Sequence, residues 1–93
     1  MTGRDVELVR VALGMDQDFF ALLLCVEEEA LARVEMHKAM DVFMGRQPAR
    51  AILETLLSKS IEELKALGPH LRTALVDRGW VAGIALLWKG VPV

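Results

Sequence analysis

The sequence is poor in cysteine, tyrosine and positive charge. Cys25 is its only cysteine, which excludes an internal disulfide and a cysteine zinc cluster and favours a reducing, cytoplasmic location. Eleven Lys and Arg against thirteen Asp and Glu give a formal net charge of −2, whereas nucleic-acid-binding proteins usually carry a concentrated positive face. No apolar run approaches the roughly 20 residues that span a bilayer, and the charged N-terminus lacks a signal-peptide pattern.

Apolar side chains, in contrast, make up 54% of the 93 residues. This content is well above that of disordered chains, and the length allows one modest core, so we expect residues 1–93 to form a single domain. One small core can bury only part of so much apolar surface. The remainder predicts association with a second copy, so we expect a homodimer, and a protein partner is the alternative.

Apolar positions repeat with the period of a helix and strand signals are almost absent, so the predicted fold class is all-α, a small multi-helix domain. The first helix is capped by Thr2 and ends at Gly14, and Asp16 caps the second. A third helix begins near Glu27, and its pattern allows one continuous helix to Met44. The remaining signals are Pro48 at the start of a fourth helix, a capping box from Ser60 to Glu63 that begins a short fifth helix, a stop and restart at Leu67-Gly68-Pro69, and a sixth helix from His70 to Arg78.

The segment from Trp80 to Trp88 is apolar on nearly all sides and is compatible with two structures. As a helix it aligns Trp80, Ile84 and Trp88 at positions i, i+4 and i+8, with Leu87 beside them. As a strand it would join a sheet formed by two chains, and Gly83 weakens the helix by about 1 kcal/mol relative to alanine. We predict that this segment supplies the dimer interface, through Trp80, Ile84, Leu87 and Trp88.

Residue patterns that carry catalysis or bind metals are scarce. His37 and His70 are the only histidines, and neither belongs to a recognised catalytic or metal-binding motif, so no enzyme activity, cofactor or metal is predicted. The run of glutamates at residues 27–29 could suggest a carboxylate metal site. Because consecutive helical residues point about 100° apart, a solvated helix start is the favoured interpretation. Cys25 has apolar neighbours in the chain and is expected to be a small core residue rather than a nucleophile.

Three methionines, Met36, Met40 and Met44, are spaced by four residues. We expect this stripe to lie in the core or in a dimer interface, and an adaptable groove for a partner is the alternative.

The segment DQDFFALLLCVEEEALARVE, from Asp16 to Glu35, carries a more specific pattern. A polar cap and a glutamine precede an apolar residue, an alanine, an apolar pair, a turn and a second helix that ends in glutamate. The matching residues are Asp16, Gln17, Phe20, Ala21, Leu23, Leu24, Cys25, Val26, Leu31, Val34 and Glu35, preceded by Leu13 and Gly14. This pattern resembles the helix-turn-helix of the Cro/C1 repressor-like (XRE) family. The resemblance implies a lambda-repressor-like core over about residues 3–58, with a C-terminal helical extension over residues 60–93.

The resemblance further implies a homodimeric DNA-binding transcriptional regulator. The residues placed at DNA are Gln17, Glu28, Arg33, Lys38 and Arg46. Two departures from the family matter. Cys25 replaces glycine, so it must adopt a positive φ at a cost or take another geometry, and acidic residues occupy positions beside the major groove, where they repel phosphate. The alternative function is therefore a helix-turn-helix-like module for protein interaction or dimerisation, antitoxin-like or a phage-type adaptor, that has lost DNA binding.

Overall fold

A computed structural model describes residues 1–39 and 47–89 of the chain. Within these two ranges the chain forms helices and no strand, which confirms the predicted all-α class. The helices are α1 (Gly3–Ala12), α2 (Gln17–Leu24), α3 (Glu28–Met36), α4 (Gln47–Leu57), α5 (Ile61–Asp77) and α6 (Trp80–Lys89).

The two strongest start signals in the sequence are confirmed. The Thr2 hydroxyl accepts a hydrogen bond from the Asp5 amide, and the Asp5 carboxylate accepts one from the Thr2 amide at 2.8 Å. Ser60 and Glu63 form the same reciprocal pair at the start of α5. Each box satisfies two amides that have no partner inside their helix.

One continuous third helix to Met44 is wrong, because α3 ends at Met36. His37 has non-helical backbone angles, φ −97° and ψ 65°. The start of α1 occupies the space beside this end: the amide of Arg4 donates to the carbonyl of Lys38 at 3.2 Å. A Cβ atom on Gly3 would collide with the carbonyl of Val34 and lie 2.7 Å from that of His37. Close packing by α1 therefore accompanies the end of α3.

The predicted stop and restart at residues 67–69 is also wrong. Helix α5 runs without interruption for 17 residues and contains Pro69. Gly68 has a different explanation, since a Cβ atom there would collide with the carbonyl of Leu13 at the end of α1. Glycine commonly ends helices, but here Gly68 allows the end of α1 to approach α5 closely.

The C-terminal segment is a helix, which decides between the two structures that its sequence allowed. Helix α6 packs against α5, α2 and α4. Gly83 is buried, and a Cβ atom there would lie 3.2 Å from Leu75 Cδ2 and 3.4 Å from Leu23 Cδ1. The weakening effect of this glycine on the helix is thus offset by tight packing on its neighbours.

All six of the helices within the described residues contribute to one buried cluster. It includes Val6 and Val9 of α1 and Phe20, Leu23 and Leu24 of α2, together with Leu31, Ile52, Leu53, Leu56, Leu64, Leu67, Leu71, Leu75 and Leu87 from the later helices. Helices α5 and α6 therefore share the core of the first four rather than forming a separate extension. None of the helices over residues 1–39 and 47–89 is long and apolar enough to cross a membrane.

Candidate binding surface on helices α2 and α3

A tight turn of Cys25, Val26 and Glu27 joins α2 to α3. Cys25 adopts the left-handed conformation, with φ 57° and ψ 43°. Its amide donates to the carbonyl of Leu22, and the Val26 amide donates to that of Ala21, which is the hydrogen-bond pattern of a Schellman motif. The first of the two geometries expected for Cys25 is therefore the one observed. The expected burial is wrong, because the thiol is exposed.

A buried ion pair fixes α3 against α1. Nε of Arg10 lies 2.9 Å from Oε2 and 3.1 Å from Oε1 of Glu35, and Nη2 lies 2.9 Å from Oε1. Nη1 of the same guanidinium donates to the carbonyl of Met15. Glu35 is 3% exposed, so its charge depends on this partner. Because the guanidinium is planar and contacts both carboxylate oxygens, it fixes the orientation of the two helices as well as their separation.

The role of Arg10 was not predicted from the sequence. A signal for it exists: Arg10 lies next to Val9 and four residues after Val6, on the side of α1 that carries core residues. A charged residue there requires a buried counter-charge or a route to solvent.

The outer face of α3 is exposed. Glu28 and Glu29 begin the helix, Arg33 and Met36 follow, and all four are exposed, while Leu31 and Glu35 point to the core. This confirms the glutamate run as a solvated helix start. Of the four exposed residues, Glu29, Arg33 and Met36 lie on one side of the helix. Met36 is 78% exposed, which excludes the core as its place, while a dimer interface or a groove for a partner stays a prediction. Met40 and Met44 lie outside the described residues.

The residues predicted to contact DNA are placed differently from one another. Glu28 and Arg33 are both exposed on α3, but at five positions apart they point about 140° from each other. Gln17 begins α2 but is half-buried, and its amide nitrogen lies 3.4 Å from Oε1 of Glu35. Lys38 is exposed just beyond α3, with Nζ 3.5 Å from Oε1 of Glu7. Arg46 lies outside the described residues. The side chains of Glu28, Arg33 and Lys38 are therefore accessible to a ligand. The Gln17 side chain is less available, because its amide already contacts Glu35.

The four residues predicted to form the dimer interface differ in how far they are buried in the single chain. Leu87 is 3% exposed and belongs to the core, so it is not available to a second chain in this conformation. Ile84 and Trp80 are half-buried, and the Trp80 indole N–H donates to the carbonyl of Leu23 at 2.6 Å. Trp88 is 56% exposed. Val81, which the prediction omitted, is 72% exposed and lies two helical turns before Trp88 on the same side.

Within the part of the chain that the structure describes, no group of three or more His, Cys, Asp or Glu side chains could hold a metal ion. His37 and His70 are both exposed and lie on different elements. The chain matches no protein-family model, and neither curated proteins nor solved structures give a match. The resemblance to the Cro/C1 repressor-like family therefore stays a prediction from residues 13–35.

Proposed function

We propose that the protein is a homodimeric DNA-binding transcriptional regulator that presents the outer face of α3 to the major groove. The observation that supports this proposal most is that α3 is held in a fixed orientation against α1 and α2. The Arg10–Glu35 pair and the left-handed turn at Cys25 fix the helix on α1 and α2, while its outer side makes no part of the core. A helix fixed on one side and free on the other suits insertion into a groove about 12 Å wide.

The accessible side chains then take distinct roles. Arg33 can donate two hydrogen bonds to one guanine, and the Glu28 carboxylate can accept from the N4 amino group of cytosine. Lys38 and Arg46 would contact phosphates, which position the helix without selecting sequence. Gln17 would contact the DNA backbone with whatever hydrogen-bonding capacity Glu35 leaves free.

The second subunit would bind through the exposed side of α6, where Trp88 and Val81 lie. This is narrower than the interface expected from sequence, because Leu87 and most of Ile84 and Trp80 serve the core. A two-fold arrangement would present two copies of α3 to successive major grooves, spaced by about 34 Å.

The test is binding to a fluorescent duplex taken from upstream of the protein's own gene, followed by anisotropy as salt is raised. Four phosphate contacts from two subunits would give a slope of about −4 for log K against log salt. Arg33→Ala should weaken binding about 10-fold or more, equivalent to about 1.4 kcal/mol. The matched control is Arg78→Ala, which removes an exposed arginine outside α2 and α3. Absence of binding at low salt, or equal losses for both variants, would refute the proposal.

A second function is favoured by the charges beside the turn. Glu27, Glu28 and Glu29 are exposed, and the hydrogen bonds and ion pairs of the described residues leave their side chains without a partner. Three free carboxylates repel phosphate, which suits a protein-interaction or dimerisation module, antitoxin-like or a phage-type adaptor, that has lost DNA binding.

The two functions differ in duplex binding rather than in association, because both use the exposed side of α6. For the interaction module, no duplex should bind, and Trp88→Asp should abolish association with the partner. Val76→Asp is the control, because Val76 is 66% exposed on α5 and its replacement carries the same charge change. A substitution is preferable to truncation before Trp80, since truncation would also remove Leu87 from the core.

A further inference from the structure

A groove lies beside the turn between α2 and α3 and is closed on one side by the start of α6. Its volume is about 620 Å³, and it is lined by Ala21, Leu22, Cys25, Val26, Glu27, Ala30 and Trp80. This volume falls within the range of about 300 to 1,000 Å³ that is typical of small-molecule sites. We call it the turn groove.

The charged groups in and beside the turn groove that the structure describes are negative. Among the residues that the structure describes, the walls of the turn groove are aliphatic or aromatic apart from the thiol of Cys25 and the carboxylate of Glu27, and no Lys or Arg of residues 1–39 and 47–89 lines it. Glu27 occupies the N-cap of α3, yet its side chain makes no capping hydrogen bond. The carboxylate is therefore free to face a ligand, and the adjacent Glu28 and Glu29 add to the negative field that the positive end of α3 partly offsets.

Trp80 provides an aromatic wall that is held in place. Its indole N–H is bound to the carbonyl of Leu23 at 2.6 Å, which ties the ring to the end of α2. The negative face of an indole attracts organic cations, and Trp is the strongest of the aromatic side chains in this respect. The fixed ring can attract such a cation, the aliphatic walls can contact its apolar groups, and the free carboxylate can balance its charge.

We propose that the turn groove binds a small hydrophobic organic cation, of the quaternary ammonium or phosphonium class. Leu22 and Val26 would contact its apolar groups, Trp80 its positive centre, and Glu27 would neutralise its charge. A carboxylate or phosphate ligand would meet Glu27 with the same sign of charge. A second copy of the chain seated here about a two-fold axis would bring the glutamates of both copies towards each other.

The first measurement compares two ions of the same shape and opposite charge, tetraphenylphosphonium and tetraphenylborate. The full chain carries Trp88→Phe so that Trp80 is the only fluorophore. We expect saturable quenching by tetraphenylphosphonium and at least 10-fold weaker binding of tetraphenylborate. Glu27→Gln should weaken binding of the cation several-fold. Glu62→Gln is the matched control, because Glu62 is an exposed residue in the first turn of α5 and lies outside its capping box.

The second measurement locates the site. Cys25 is the only cysteine and lines the turn groove, so its alkylation by uncharged iodoacetamide reports on access to this position alone. Saturating tetraphenylphosphonium should slow the reaction, and tetraphenylborate at the same concentration should not.

Equal binding of the two ions, unsaturable quenching, or an unprotected thiol would overturn the proposal. So would a dimer that Leu22→Asp converts to monomer in sedimentation velocity, because a second copy would then cover the groove. DNA is absent from every arm, so these outcomes are independent of the proposed function.

Discussion

The guanidinium of Arg10 binds both carboxylate oxygens of Glu35, at 2.9 Å from Nε to Oε2 and 2.9 Å from Nη2 to Oε1. The two residues are 25 positions apart, on α1 and α3. The Glu35 side chain is 3% exposed and that of Arg10 is 18% exposed, so water has little access to either charge. Each charge is therefore stabilised mainly by the other. The pair therefore determines how α3 is oriented on the rest of the domain.

Arg10→Met should lower the free energy of unfolding by about 3 to 5 kcal/mol, because it leaves the Glu35 carboxylate buried without its counter-charge. Urea denaturation measures the change. Glu54→Gln breaks an exposed pair with Arg50, and should cost less than about 1 kcal/mol. The double variant Arg10→Met with Glu35→Leu should recover most of the lost stability. A loss for Arg10→Met no larger than that of the exposed control would contradict this account.

Cys25→Gly should stabilise the protein. The left-handed conformation at φ 57° costs a residue with a Cβ atom about 1 to 2 kcal/mol, and glycine adds about 0.5 to 1 kcal/mol of unfolded-state entropy, so we expect a net gain of about 0.5 to 1 kcal/mol. The converse substitution is Gly14→Ala, at φ 69° with nothing within 4 Å of the new Cβ, which should destabilise by a similar amount. Thermal unfolding of both variants tests the pair, and a lower melting temperature for Cys25→Gly would refute the explanation.

Gly68→Ala should destabilise α5 despite the higher helix propensity of alanine. The new Cβ would collide with the carbonyl of Leu13, and forcing α1 and α5 apart should cost about 1 to 3 kcal/mol. Gly83→Ala provides the comparison, because its nearest obstacle is the flexible end of Leu75 at 3.2 Å. That variant should change stability by less than about 1 kcal/mol. Chemical denaturation measures the free energy of unfolding of both variants. Equal losses for Gly68→Ala and Gly83→Ala would show that backbone crowding at Gly68 is unimportant.

Trp80→Phe should cost about 1 to 3 kcal/mol. The substitution keeps an aromatic ring but removes the N–H that donates to the carbonyl of Leu23, one of the last four carbonyls of α2. Trp88→Phe serves as control at a concentration where the subunits are separate, because Trp88 is 56% exposed on the single subunit, and should have little effect there. Hydrogen exchange of the α2 amides should accelerate only in Trp80→Phe. Unchanged protection would mean that the hydrogen bond contributes nothing to this helix end.

Features set by neighbouring residues were predictable from the sequence. The capping boxes at Thr2 and Ser60 depend on a side chain three residues away, and the solvated start of α3 depends on consecutive glutamates. The all-α class follows from the apolar period, which every helix repeats. The left-handed turn at Cys25 was one of two geometries that the family pattern allowed.

Features set by distant residues were not predictable. Helix α3 ends beside Gly3 and Arg4, and Gly68 lies inside α5 where the carbonyl of Leu13 leaves no room for a Cβ atom. The residues next to either position in the sequence do not reveal these neighbours. Apolar character alone does not distinguish a residue that packs within its own chain, such as Leu87, from one that faces solvent, such as Met36. The candidate surface on α3 stays a prediction. The turn groove was not predictable because it needs Trp80, more than 50 positions after Leu22 in the chain.

The hydrogen bond between Trp80 and Leu23 has a consequence for how the chain folds during synthesis. Trp80 follows Leu23 by 57 positions, so Leu23 leaves the ribosome much earlier. The Leu23 carbonyl at the end of α2 therefore has no indole N–H to bind until nearly all the described helices have been translated. Leu87 enters the shared core later still. The first four helices therefore cannot reach their final packing before α6 has been translated, so the shared core depends on the last of the described helices.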